Sequence, residues 1–378
     1  MEKMNGIMAR NQLTPDSNVI ISGVSGLLGG EILREICRLD VNQITALVRS
    51  NSEQTSLERF YQRMERSGKT KESFGTNLTV ADCDITRPFW DLSPAHQRNA
   101  IESVDTIIHC AADTSFIRER NVIDTNIAGT KNLIELARAC KRRPRIVFVS
   151  TATNVGRVQN CNILEDQGCQ PGNDHHNAYT ASKAVAETML RESGLDVLVI
   201  RPTIVLSAGI KDRIFARNIL WFAPLVFEFE ALPLICDSKV DIISCDYQSK
   251  GVVELLRHPG LAHDCYHISA GERNAITVAE SLTCLRRNYV GKDLQMIHPD
   301  HWGIKEQRRY VRSPLQRKIF HGLKYYLPFL NMNVTYDNDR FYQALGPRSP
   351  EFVPFDSYVD DLLAQINLED AICKSAIP

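Results

Sequence analysis

Seven residues with a glycine at every third position, Gly23, Gly26 and Gly29 in GVSGLLG, limit the fold of this 378-residue chain more than any other stretch. They follow the apolar run NVIIS (18–22) and precede EILREICRL (31–39), whose apolar residues recur at helical spacing. The order is strand, turn, helix. The G-x-x-G-x-x-G spacing differs by one residue from the G-x-G-x-x-G dinucleotide fingerprint, and the physical demands are similar. One glycine permits the tight turn, one lets backbone approach a pyrophosphate, and one lets the helix pack closely with its N-terminus toward the phosphates. Ser25, Leu27 and Leu28 fill the turn between these glycines and are read as cofactor contacts with them. Glycine turns after strands also serve purely structural roles, so the motif needs its context.

That context is a run of alternating strands and helices. A second strand, QITALV (43–48), ends at Arg49, about where a dinucleotide site meets the adenosine ribose. An acid there would bind the 2′-hydroxyl of NAD, whereas an arginine can pair with a 2′-phosphate, so the reading favours NADP(H). An exposed arginine without a ligand is the alternative. A third strand, NLTVADCD, leads into Ile85 and puts Asp84 where it could accept from the adenine amino group. A fourth, VDTIIHCAAD, ends in Ala111 and Ala112, small enough to let a cofactor lie across the strand ends. The amphipathic stretch 122–142 and the apolar strand RIVFVSTAT (145–153) follow. The fold class is therefore α/β, a Rossmann-type doubly wound parallel sheet.

Residues 176–193, HNAYTASKAVAETMLRES, have helical spacing, which brings Tyr179 and Lys183 to one face about one turn apart. An ammonium beside a phenol favours the phenolate and lowers its pKa, so Tyr179 could exchange a proton while hydride moves. A hydroxyl at the neighbouring strand end would bind the reacting carbonyl oxygen. A tyrosine four residues before a lysine is by itself compatible with a solvated helix face; here it follows the glycine turn, HCAA and STATNVG in order.

With SGVSGLLG, Asp84-Ile85, HCAA, NIAGT, STATNVG, YTASK and RPTIV in place, residues 16–270 resemble an extended short-chain dehydrogenase/reductase. The resemblance implies catalytic roles for Thr151, Tyr179 and Lys183, and for Asn126, which would help to position the lysine through water. It also implies cofactor contacts at Pro202, Thr203 and Ile204. ALVRS, DCDIT, VDTIIHCAADTSF, NIAGTKNL and VSTA look like thioester reductase domains and fatty acyl-CoA reductases, which use NADPH to convert a thioester to an aldehyde or alcohol. That branch carries P-V-D-Y, where this chain has Ser244-Cys245-Asp246-Tyr247. The implied partners are a small-molecule or carrier-bound acyl substrate, with an acyl carrier protein or a second copy of the chain as further options. The same site on a ketone, alcohol or sugar nucleotide is one alternative reading, and a non-catalytic NADP sensor is another.

Composition narrows the partners. Lys and Arg total 44 against 45 Asp and Glu, so no global field draws nucleic acid or an anionic membrane. Eleven cysteines without a C-x-x-C pair read as free thiols in a reducing compartment. The N-terminal stretch has no apolar region of signal-peptide length and no integral membrane segment is expected, so the expected location is cytoplasmic. His109, His175 and His176 have no carboxylate or cysteine at ligand spacing, and no metal site is expected.

Beyond RPTIV the alternation breaks. The expected organisation is an N-terminal tail (1–15), a nucleotide-binding domain (16–205 and 236–270) and a mostly helical substrate-binding lobe (206–235 and 271–378). Residues 214–235, apolar but interrupted by Arg217, Glu228, Glu230 and two prolines, could line an acyl tunnel, form a lid or simply pack as core. RKIFHGLKYYLPFLNM (317–332) reads as a closing amphipathic helix, with a membrane surface or acidic carrier as the other option. The arginines of EQRRYVRS (306–313) could contact a phosphopantetheine or CoA phosphate.

Overall fold

The computed structural model describes residues 12–66, 74, 77–116, 119–168, 174–207, 219–364 and 366. Seven strands form one parallel sheet: β1 (Asn18–Ser22), β2 (Gln43–Val48), β3 (Leu78–Asp82), β4 (Thr106–His109), β5 (Arg145–Val149), β6 (Val197–Pro202) and β7 (Cys265–Ile268). Their spatial order is β7-β6-β5-β4-β1-β2-β3. The order reverses between β1 and β4, which makes that crevice the topological switch point of a doubly wound sheet. Six helices pack around it: α1 (Leu27–Ile36), α2 (Ser56–Arg66), α3 (Pro94–Ser103), α4 (Glu119–Ala139), α5 (Ala178–Glu192) and α6 (Cys245–Leu256).

Strand alternation divides the core. Val19, Ile21, Val147 and Val149 join a cluster with Ile32 and Leu33 of α1 and Val252 and Leu255 of α6. Ile20, Ile146 and Phe148 face the opposite side, with Leu133 of α4 and Leu190 of α5. Both faces are covered, which explains why the strands read as continuous apolar runs rather than alternating ones.

A second core of Phe222, Leu225, Phe229, Val278, Ile319, Leu323 and Val359 makes the lobe. The described part of 214–235 contributes Phe222, Ala223, Leu225 and Phe229, all buried, so this part is core. Residues 214–218, Arg217 among them, lie outside the described residues, as do 1–11 of the N-terminal tail. Two stretches assigned by sequence to the tail and the lobe pack with the nucleotide-binding core: Leu13, bonded through its N–H to Leu256 O at 2.8 Å, and Phe341 and Leu345. Phe341 fits there because Gly251 of α6 has no side chain to exclude its ring.

Candidate active site

The glycine turn divides its labour. Gly23 has φ +77°, and a Cβ there would lie 2.6 Å from the Ala111 nitrogen, so this glycine makes the turn and abuts the end of β4. A Cβ on Gly29 would collide with the Gly23 carbonyl, so Gly29 sets how closely α1 approaches the turn. Gly26 meets only the Gly23 oxygen, at 3.2 Å, and caps α1 with no side-chain bond to its first N–H groups. Backbone donors at the end of a helix dipole, beside a surface that a side chain would fill, fit a pyrophosphate. Ser25, Leu27 and Leu28 lie in this turn and the first residues of α1, and the Ser25 carbonyl accepts from Arg63 Nε at 3.0 Å.

Farther along the strand ends, Arg49 is exposed at the end of β2, and its carbonyl accepts a bond from the Arg59 guanidinium. Asp84 accepts from the Thr86 N–H and hydroxyl at 2.9 and 2.7 Å. Burial raises its pKa, but these bonds and the charges of Arg49 and Arg87 outweigh that and hold it below the usual range. Arg49 and Asp84 are thus brought into electrostatic contact, with Arg59 added. Ile85 packs on Gly129 of α4, where a Cβ would come within 2.9 Å of it, and its carbonyl accepts from Asn132 Nδ2 at 2.9 Å. Ala111 and Ala112 are half-buried beyond β4. Pro202 ends β6; the Thr203 hydroxyl donates to buried Asp241 at 2.8 Å, and Ile204 pairs with Ile242 in a short parallel ladder.

Asn177 caps α5 by accepting from the Thr180 N–H at 2.9 Å, which starts the helix one residue before Tyr179. Thr151, at the end of β5, lies close enough to the Tyr179 hydroxyl to lower its pKa, while its own hydroxyl shares a hydrogen bond with Thr153 at 2.9 Å. Tyr179 is half-buried, and burial pushes its pKa up to about 12 against the lowering effect of Thr151. Lys183 is buried and pushed down to about 8, again by burial, with the thiol of Cys110 and the carboxylate of Glu187 acting the other way. Its ammonium donates to the Val149 carbonyl at 2.5 Å and sits 4.1 Å over the Phe148 ring. The lysine is thus tied to the backbone of β5, and burial raises the Tyr179 pKa where the sequence reading expected a neighbouring ammonium to lower it. With its donor turned to Val149, the ammonium is held at the strand rather than at the phenol.

Asn126 of α4 is held by direct bonds. Its Nδ2 donates to Ser182 Oγ at 2.9 Å and to the Asp113 carbonyl at 3.1 Å, and its Oδ1 accepts from the Asp113 N–H at 2.8 Å. Ser182 in turn donates to the Tyr179 carbonyl at 2.9 Å. Asn126 therefore fastens the chain after β4 to the first turn of α5.

Three groups escaped the sequence reading. Glu187, one turn beyond Lys183, accepts from Ser150 Oγ at 2.9 Å, Asn154 Nδ2 at 2.7 Å, and both Arg201 and Arg191. Its four-residue offset from Lys183 was a usable signal. Arg59 and Arg63 were legible only as solvated helix charges. Phe116, Tyr326 and Phe329, the last two from the lobe, meet beside Tyr179: Phe116 lies 6.1 Å from Tyr179, 5.1 Å from Tyr326 and 5.4 Å from Phe329. Nothing local in the sequence announces this meeting. His109 is buried, bonded through Nδ1 to Ser22 Oγ at 2.8 Å and stacked between Trp90 and Phe148. Among the described residues, no group of three or more His, Cys, Asp or Glu could hold a metal, and no helix is long and apolar enough to cross a membrane.

Residues 21–252, more than half of the chain, match the model of the NAD-binding family described as male sterility protein. The chain belongs to this family. Its members' nicotinamide-dependent oxidoreductase character agrees with the glycine cradle and the hydroxyl, phenol and ammonium at the strand ends. Fatty acyl-CoA reductase 1 of Xenopus laevis is 26% identical over 221 residues, covering 50% of this chain and 43% of that protein. A putative fatty acyl-CoA reductase of Drosophila melanogaster is 24% identical over 375 residues, covering 86% of this chain and 68% of that protein. The chain spans less than half the length of the first of these. Among solved structures, the terminal R domain of the myxalamid PKS-NRPS pathway superposes with a TM-score of 0.71 at 22% identity, covering 99% of each chain. The reductase domain of a nonribosomal peptide synthetase from Mycobacterium tuberculosis gives 0.70 at 18% identity, covering 98% of this chain and 96% of that one. This male sterility family member therefore shares the fold of those solved reductase domains.

Proposed function

We propose that the protein is an NADPH-dependent reductase of acyl thioesters, carried by CoA or by a carrier protein, with aldehyde as the first product. The observation that carries this reading is Thr151 beside the Tyr179 hydroxyl, with buried Lys183 one turn along the same helix as Tyr179, near the strand end that the Gly23 turn abuts. A phenol held near 12 keeps its proton at neutral pH and can donate it to a carbonyl oxygen. Thr151 supplies a second donor to the same oxygen, which stabilises charge developing there. When bound, the nicotinamide supplies the hydride. The balance is thioester, NADPH and one proton giving aldehyde, thiol and NADP⁺; a second round would give alcohol.

Arg49 and Arg59 support the choice of NADPH, since they gather positive charge where a 2′-phosphate would lie. Exposed Lys305, Arg308, Arg309, Arg312, Arg317 and Lys324 lie on the segment that leads to Tyr326, which suits a phosphate-bearing thioester. The test follows NADPH absorbance with a panel of acyl-CoA thioesters, beside Tyr179→Phe and an NADH control. Tyr179→Phe should bind NADPH like the parent and lose roughly 10²–10⁴-fold in turnover. Turnover of ketones but not thioesters, or turnover unaffected by Tyr179→Phe, would overturn the reading.

A further inference from the structure

The rings beside Tyr179 differ from those of the two cores. Phe148, Phe341 and Phe229 are no more than 1% exposed, whereas Phe116, Tyr326, Phe329 and His176 are half-buried and keep accessible faces. Phe116 is the hub, with Tyr179, Tyr326 and Phe329 all within 6.1 Å. Tyr326 extends the cluster to buried Phe222, and Phe329 extends it to His176, 5.0 Å away. Two elements of the nucleotide-binding domain, the chain after β4 and the turn before α5, thus face one segment of the lobe across the catalytic tyrosine.

Such a surface is incomplete packing. Rings at offset and tilted distances leave apolar area that an apolar ligand would cover, while the buried, unpartnered His176 Nε2 at the end of the cluster offers one polar point beside it. Phe116, 6.1 Å from the Tyr179 ring, is within reach of the groups flanking a carbonyl whose oxygen meets Thr151 and Tyr179.

We propose that Phe116, Tyr326 and Phe329 are specificity-determining residues that form an aromatic wall for the acyl group and select apolar acyl chains over short or charged ones. This rests on the thioester-reductase reading, and it makes a separate demand: the variants must reorder substrates, not merely slow the enzyme. Phe116 meets the site through its ring, and Phe329 does so while also packing on the small core of Val155, Met332 and Val334, so leucine at either position keeps apolar volume while removing the flat face.

The test compares Phe116→Leu, Phe329→Leu and Phe329→Ala with the parent. It measures kcat/KM for acetyl-, octanoyl- and dodecanoyl-CoA and checks folding by melting temperature. The parent should prefer the longer chains. Phe329→Ala should lose roughly tenfold or more of that preference, since a pocket contact of this size separates substrates by about 10- to 200-fold, with the acetyl rate little changed. An equal loss on all three substrates would overturn the proposal. Calorimetric titration of n-decanol with NADP⁺ present separates it from the parent reading. If thioesters are not turned over but decanol binds the parent tenfold more tightly than Phe329→Ala, the wall stands and the thioester reading falls. If decanol binds both alike or neither, the wall falls as well.

Discussion

Glu187 and Arg201 form an ion pair at 2.5 Å in which neither side chain is more than 5% exposed. Glu187 belongs to the helix of Tyr179 and Lys183, and Arg201 to β6. The same carboxylate also holds Ser150, the neighbour of Thr151, and Asn154 in the turn that follows. The pair therefore joins the helix carrying the phenol to the strand end carrying the hydroxyl. Burial raises the Glu187 pKa, but the charge and bonds of Arg201, with Arg191 and Ser150, overcome this and lower it.

Removing one partner of such a pair leaves the other charge buried and uncompensated. Glu187→Ala should cost about 3–5 kcal/mol of stability, read from urea unfolding midpoints. Glu187→Gln, which keeps the shape and some of the bonds, should lose less. A change below 1 kcal/mol in the alanine variant would mean that water replaces the carboxylate, on the scale of an exposed pair.

Lys183 predicts a pH dependence. Its pKa falls from 10.5 unfolded to about 8 folded, so its contribution to stability is present above 10.5 and lost as pH falls through 8. Lys183→Met, which cannot titrate, should therefore gain on the parent as pH is lowered from 10.5 to 8, and hold a constant margin below that. Denaturant midpoints at half-unit pH steps would show it. An activity limb near 8, with reduction slowing as the ammonium loses its proton, should accompany the stability effect and be absent from the acid side.

Much of this site was open to a reading of residues in order. The glycine turn, the apolar strands and the Tyr179–Lys183 offset are local patterns, each set by a backbone or periodicity demand acting over a few residues. What Lys183 touches was not local: the ammonium chose the Val149 carbonyl and the Phe148 face, which arrive from β5. Asn126 likewise serves Ser182 and Asp113 directly, a connection fixed by how α4 packs on α5. Tyr326 and Phe329 could be seen as apolar helix residues, but their position against Phe116 depends on how the whole lobe folds back on the sheet. Residues 334–345 escaped for the same reason, since Phe341 packs against α6 through the space left by Gly251.

Gly29 gives a structural prediction that tests the cradle without its ligand. A methyl group there would collide with the Gly23 carbonyl, and backbone cannot swing aside as a flexible side chain can. Gly29→Ala must push α1 away from the turn, and overpacking of this kind typically costs about 1–3 kcal/mol. The melting temperature should fall and NADPH binding weaken together. Gly194 has φ +72° with nothing within 4 Å of its added Cβ, so Gly194→Ala should cost stability through backbone strain alone and leave NADPH affinity unchanged.

The cofactor choice turns on Arg49 and Arg59. Arg59 reaches from α2 to the Arg49 carbonyl, which holds its guanidinium at the end of β2, while Asp84 offsets part of the charge from β3. A 2′-phosphate brings about two negative charges to this place, and NADH brings none. Charge-assisted hydrogen bonds contribute about 1.5–3 kcal/mol each, or roughly 10- to 100-fold in affinity. Arg49→Ala should therefore weaken NADPH by that factor and leave NADH nearly unchanged, and Arg59→Ala should do the same if its guanidinium turns to the phosphate. The effect on NADPH should shrink as salt is raised, because Arg49 is exposed and Arg59 only half-buried. Fluorescence titration of both nucleotides at low and high salt measures all of this. Equal loss of NADPH and NADH in Arg49→Ala would show that the residue shapes the strand end rather than reads the phosphate.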